Sequence, residues 1–264
     1  MRKSLFLTLV IMFIASVNLY AQDLSKHSVE LFPEIYQHIY KEPGVMQNKG
    51  IMSGFTGVYT YRDQVMLKAE GLLGFGTVDY KNSGKMDNLF DYCAEIRGMA
   101  GYDFKFSDDI LLTPYFGIGY RYLNDDSSGK ITSTGAAGYE RESNYIYSPL
   151  GIECTLQTDD DWSIGITTEY DIFWQGRQIS HLNDANSAYN QVKNTQNDGY
   201  GARGSLKLKK KSQKLDFTIE PFIRYWNIKK SNDSNVTYSG VIIGYGYEPK
   251  NNTTEYGVKF GLYF

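Results

Sequence analysis

The sequence predicts an all-β chain: an up-and-down antiparallel transmembrane β-barrel of about ten strands, behind an N-terminal signal peptide. Three observations predict it. Apolar and polar residues alternate over stretches longer than a typical globular strand. The connections between these stretches alternate between short and long. Aromatic residues collect where strands meet connections.

The first element is the signal. Arg2 and Lys3 precede an apolar run from Leu5 to Ala15, and small and polar residues lead to Ala21. A basic start, a short apolar stretch and a small residue at the cut are the parts of a cleaved export signal. The apolar run is short for a membrane helix, which needs about 20 residues. The expected division is therefore a signal peptide over 1–21 and a barrel over 22–264. Losing Arg2 and Lys3 takes the formal net charge from −3 to −5. This mild acidity, with no basic stripe beyond Lys209-Lys210-Lys211, excludes a nucleic-acid partner.

The strands follow from a period of two. From Phe90 to Phe106, one face carries Phe90, Tyr92, Ala94, Ile96, Gly98, Ala100, Tyr102, Phe104 and Phe106. The other carries Asp91, Cys93, Glu95, Arg97, Met99, Gly101, Asp103 and Lys105. The same alternation places strands at 28–40, 51–62, 65–79, 89–106, 110–123, 144–157, 162–177, 199–209, 215–229 and 253–264. Short connections are expected at 62–64, 107–109, 158–161 and 210–214. Long polar ones are expected at 41–50, 80–88, 124–143, 178–198 and 230–252. Short turns at one end and long loops at the other match the layout of a transmembrane barrel, with both termini on the short-turn side.

Alternation alone does not say which face meets lipid. Phe104, Phe106, Trp162 and Phe217 stand near short turns, and Tyr120, Tyr122, Trp174 and Tyr225 stand towards long loops. Two such belts suit the two lipid–water interfaces. The charged face also carries Gly74, Gly76, Gly117, Gly119, Gly201, Gly257 and Gly261, as a narrow interior requires. The apolar face is therefore expected outside. Cys93 and Cys154 fall on opposite faces of different strands, so two free thiols are expected.

The last strand, Tyr256-Gly257-Val258-Lys259-Phe260-Gly261-Leu262-Tyr263-Phe264, resembles the terminal strand of bacterial outer-membrane proteins. The stretches 95–103 and 114–122 resemble small porin-family barrels, as does Gly138-Tyr139-Glu140-Arg141-Glu142-Ser143-Asn144-Tyr145. The resemblance implies an outer-membrane location and assigns no catalytic residue. It also implies that Phe260, Leu262 and Phe264 form the signal read by the barrel-assembly machinery. The expected surroundings are outer-membrane lipids and lipopolysaccharide, with the chain a monomer.

On this parity the interior holds both signs of charge. Arg97, Arg121, Arg203 and Arg224 are expected to be neutralised by Glu95, Glu153, Glu169 and Glu220 across neighbouring strands. A barrel of eight strands is filled by side chains, and open channels come at about 16 strands. Ten strands lie nearer the filled end. Desolvated charges must be paired, which favours a packed network over a pore. Histidines are few. His27 is expected in an N-terminal tail and His38 on the inward face near the upper rim. His181 is expected in a long loop beside Ser180 and near Asp184. A ten-strand barrel with His and Asp at its rim resembles the omptin surface proteases, but no omptin motif is present. Gly199-Tyr200-Gly201-Ala202-Arg203-Gly204 spells a dinucleotide fingerprint without the helix that the fingerprint needs. Asp125-Asp126 and Asp159-Asp160-Asp161 could bind divalent cations, but loops and turns of this composition are more often just solvated, so they are expected to be solvated acids. No catalytic residue, cofactor or metal is expected. The expected role is a surface-exposed outer-membrane protein whose barrel anchors extracellular loops. A small porin-like channel is the alternative, and a rim-site hydrolase, omptin-like or a lipid A deacylase, is the third reading.

Overall fold

The computed structural model describes residues 26–159, 161–212 and 216–263. The expected signal peptide, Leu215 and Phe264 lie outside the described residues. Fourteen strands are described. Ten build the barrel: β1 His27–Glu42, β2 Met46–Asp63, β3 Val65–Lys81, β4 Met86–Tyr102, β6 Ile110–Asp126, β7 Glu140–Gln157, β8 Trp162–Ser180, β10 Gly199–Lys210, β11 Asp216–Ile228 and β14 Asn251–Tyr263. Each pairs antiparallel with its neighbours in this order. The ring closes where β1 meets β14, from Glu30 opposite Tyr263 to Lys41 opposite Asn252. Closure leaves no barrel strand with a free edge, which is what spanning a membrane with strands demands.

The apolar face points outward. Ile96, Phe116, Ile118 and Phe55 are all more than 60% exposed, whereas their sequence neighbours Glu95, Arg97 and Thr56 are buried. The aromatics at the short-turn end are exposed too: Phe104, Phe106, Trp162 and Phe217. In lipid this surface becomes the bilayer contact, and the buried polar face becomes the lumen. Cys93 is buried inside, Cys154 sits on the outer face, and both are free thiols.

Several strands run further than their apolar stretches. β2 starts at Met46 and β1 ends at Glu42, so the expected long loop over 41–50 is a tight turn around Gly44. The 80–88 connection likewise shrinks to the residues between Lys81 and Met86. The physical reason is that strand pairing needs backbone, not apolar side chains. Gln47, Asn48 and Lys49 pair with Lys81, Tyr80 and Asp79 above the apolar belt. Three long connections remain on that end: between β6 and β7, β8 and β10, and β11 and β14. They carry β9 Val192–Gln196, which extends the ladder of β8, and the hairpin β12 Ser234–Tyr238 with β13 Val241–Gly246. Ser239 and Gly240, both at positive φ, turn that hairpin. At the other end, the strand expected over 89–106 breaks at Asp103, leaving β5 Phe104–Lys105 as a separate piece. Asp103 turns inward there and accepts hydrogen bonds from Arg62 Nη1 at 2.7 Å and Thr113 Oγ1 at 2.6 Å. His27 is not in a tail. It opens β1 and hydrogen-bonds Tyr59 Oη at 2.7 Å.

Candidate functional site

The lumen is filled in layers, each set by register. The middle layer is ionic. Arg121 is fully buried and donates Nη1 to Glu95 Oε2 at 3.1 Å on the adjacent strand β4. Its Nη2 donates to Glu255 Oε1 at 2.6 Å on β14, the opposite wall. Arg203 on β10 reaches Glu95 across the lumen and also Asp171 Oδ2 at 2.9 Å and Glu169 Oε1 at 3.1 Å. Arg224 pairs with Glu34 Oε1 at 2.8 Å and Glu255 Oε2 at 2.9 Å. Just below, Arg97 bridges Glu169 Oε1 at 2.5 Å and Glu70 Oε1 at 2.9 Å, and Tyr115 Oη donates to Glu169 Oε2 at 2.7 Å. Each guanidinium offers a fixed fork of donors, so one arginine can hold carboxylates from two walls at once.

Two of the four expected carboxylates stand elsewhere. Glu153 pairs with Lys68 and with Arg62 Nη2 at 3.2 Å, near the short turns. Glu220 pairs with Lys259 at 3.4 Å and Lys207 at 3.8 Å. The reason is height along the strand. Glu220 lies four residues below Arg224 on β11, roughly 13 Å at 3.3 Å per residue. Glu255, Glu34, Asp171 and Glu70, all on the inward parity, take the arginines instead. Glu70 and Glu255 are the register partners of Arg97 and Arg224 on adjacent strands, whereas Arg121–Glu255 and Arg203–Glu95 cross the lumen and depend on the stagger between opposite walls.

Aromatic rings pack against the ionic layer. Tyr145, Tyr147, Phe173, Trp226 and Ile228 form a buried cluster towards the long loops. The Arg203 guanidinium sits 5.5 Å from the Tyr147 ring centre and 5.6 Å from that of Trp226. Such placement favours a desolvated cation. Interior glycines make room for the tyrosines. Gly119 faces Tyr147 across the β6–β7 ladder, Gly151 faces Tyr115, and Gly257 faces Tyr36 across β1–β14. A Cβ at Gly119 or Gly151 would run into the facing ring.

The loop end is closed by a latch. Arg141 of β7 holds both Glu42 of β1 and Glu248 of the β13–β14 connection, the latter at 2.6 Å. Tyr40 Oη donates to the same two carboxylates, at 3.1 Å and 2.8 Å. Burial pushes the Glu248 carboxyl up to about 7, against the pull of Arg141 and with the added push of Glu42. Beside this latch, His181 Nε2 lies 2.6 Å from Glu142 Oε1, and its Nδ1 lies 2.9 Å from Gln191 Nε2. His38 turns inward, with Nδ1 3.0 Å from Glu255 Oε1. The backbone of Leu262 pairs with Leu31 and Phe217, and Phe260 is exposed on the outer face.

No protein-family model matches the chain, and no curated protein matches it. Solved structures do. The outer membrane protease OmpT from Escherichia coli superposes with a TM-score of 0.64 at 10% identity, covering 94% of this chain and 99% of that one. The translocator domain of the autotransporter NalP from Neisseria meningitidis covers 98% of this chain and 95% of its own, at 13% identity and a TM-score of 0.44. The toluene transporter TbuX from Ralstonia pickettii covers 90% and 89%, at 8% identity and a TM-score of 0.39. The last two scores are too low to carry an argument, and the OmpT likeness speaks for the fold alone. With the closed ring, the outward apolar face and the belts of aromatic residues, that likeness gives this chain the fold of an outer-membrane β-barrel.

Proposed function

We propose that the barrel is a closed anchor that presents its extracellular loops and conducts nothing. The observation that carries this reading is the pairing of opposite walls, Arg121 with Glu255 and Arg203 with Glu95, under a cap of packed aromatic rings. Charges so placed replace the water that a channel would hold. The channel alternative has its own support in a cavity in the short-turn half of the lumen. Its lining includes Glu30, Lys68, Glu153 and Lys207, but also Arg97, Glu169 and Arg203 of the ionic layer. We read it as a vestibule that ends against that layer. Likeness to porin-family barrels is then one of architecture.

Against rim chemistry stand the contacts of His181, whose two ring nitrogens each face a partner. We therefore favour a non-enzymatic monomer whose partners are outer-membrane lipids, lipopolysaccharide and whatever the loops meet. A liposome-swelling assay with small sugars tests the reading. Purified refolded protein should leave the swelling rate at that of empty liposomes. Swelling that scales with the protein content would favour the channel.

A further inference from the structure

Between the latch and the ionic layer, two carboxylates face each other without a counter-charge between them. Asp91 of β4 and Asp125 of β6 are direct register partners. Asn48 of β2 reaches over and donates Nδ2 to Asp125 Oδ2 at 2.6 Å. Asn48 and Asp91 are 1% and 6% exposed. One side-chain oxygen of each residue, Asn48 Oδ1, Asp91 Oδ1 and Asp125 Oδ1, is buried and receives no donor, and the Asp91 and Asp125 carboxyls lie within hydrogen-bond reach of each other. All three residues line one small cavity. Three orphaned acceptors in one cavity are unusual, because buried oxygens are nearly always satisfied.

The local charge points the same way. Arg141, the guanidinium that lines this cavity, is already shared by Glu42 and Glu248. Four carboxylates therefore crowd around one guanidinium and the His38 imidazole, which is itself held by Glu255. Like charges so close in a poorly hydrated space need a proton or a cation between them. The unpaired donors are all oxygens, two carboxylates and an amide carbonyl. That set suits a hard cation, and calcium accepts such mixed oxygen shells with flexible geometry and added water. Among the described residues no group of three His, Cys, Asp or Glu is placed to hold a metal, so the amide oxygen is essential to the set. We propose that Asp91, Asp125 and Asn48 Oδ1 form a calcium site in the extracellular half of the lumen, with water completing the shell. Bound calcium ties β2, β4 and β6 together beneath the loops.

The test uses the full mature chain, refolded in detergent micelles and stripped with EDTA. Calcium chloride is titrated by calorimetry, and thermal unfolding is followed with and without it. The expected result is one ion per chain with a Kd of about 10⁻⁴–10⁻³ M, the range of extracellular calcium modules, and a rise of Tm with calcium. D91N and D125N should each weaken binding about tenfold or more by lowering the ligand charge. The double variant D91N/D125N should lose the response while still migrating as a folded barrel, because two amides can bond each other where two carboxylates repel. D108N, on an exposed turn at the other end, should respond as wild type. Three results would overturn the site. One is wild-type protein with neither binding heat nor a Tm shift above that range. Another is a double variant that binds as wild type does. The third is stability that follows pH through Asp91 and Asp125 but ignores calcium, which would mean a shared proton.

Discussion

Arg121 and Glu255 meet at 2.6 Å although their strands, β6 and β14, stand five places apart in a ring of ten. The pair spans the full width of the lumen with both side chains buried. Removing one partner of a buried pair leaves the other charge stranded and costs about 3–5 kcal/mol. R121M should therefore destabilise the barrel by about that much in urea titrations of the protein folded in lipid vesicles. A loss under about 1 kcal/mol would mean that water already reaches Glu95 and Glu255.

The outer face makes a contrasting prediction. Ile96 is 65% exposed on the lipid side, and Thr218 is 1% exposed on the lumen side. I96R should cost about 2–4 kcal/mol if the position lies near the bilayer midplane. The penalty should shrink when the barrel is held in detergent, where the bilayer core is absent. T218R would carry no lipid penalty, so its effect should be the same in bilayer and detergent. The same urea titrations, run in both media, check this. A medium-dependent cost for T218R but not for I96R would invert the two faces.

Much of this fold was legible in residue parity. Phe90 to Tyr102 declared both faces of β4, and Tyr256 to Gly261 did the same for β14, because side-chain direction alternates whatever the tertiary context. Partner choice was not legible. Glu95 and Glu169 were expected to meet the arginines and do contact them. Glu153 meets Lys68 and Arg62, and Glu220 meets Lys259 and Lys207, because the register of neighbouring strands sets them at a different height from the four arginines. The loop hairpin was missed although Val236-Thr237-Tyr238 and Val241-Ile242-Ile243 flank Ser239-Gly240, a turn signal. The Asn-rich surroundings hid it. Asn48 was passed over because a polar residue beyond the apolar stretch reads as loop, although there it continues a strand into the lumen.

The tyrosine–glycine pairs predict a steric dependence. A side chain at Gly119 has no room beside the Tyr147 ring. G119V should destabilise by about 1–3 kcal/mol, the usual cost of overpacking. Adding Y147A should recover part of that loss, so the two changes should be less harmful together than their sum. A strictly additive double variant in equilibrium unfolding would mean that the ring and the new side chain do not meet.

The latch should respond to pH. Glu248 sits in the β13–β14 connection with its carboxyl pushed up to about 7, above the value of about 4.3 for a free glutamate. A raised carboxyl binds its proton more tightly when docked. Docking is thus most favoured below about pH 4 and loses that contribution as pH rises through 7. Limited proteolysis at Lys229, Lys230 and Lys250 should become faster from pH 5 to 8, after correction with an unstructured peptide substrate. E248Q should flatten the profile. A profile identical in E248Q would remove Glu248 from the latch.

The central claim, that paired charges and rings close the lumen, is tested most directly by planar-bilayer recording of the refolded protein. The predicted result is no steady conductance for wild type, with a leak or loss of folded barrel when R97S and R121S are combined. A wild-type protein that conducts in stable steps, with ion selectivity shifted by those same changes, would contradict it.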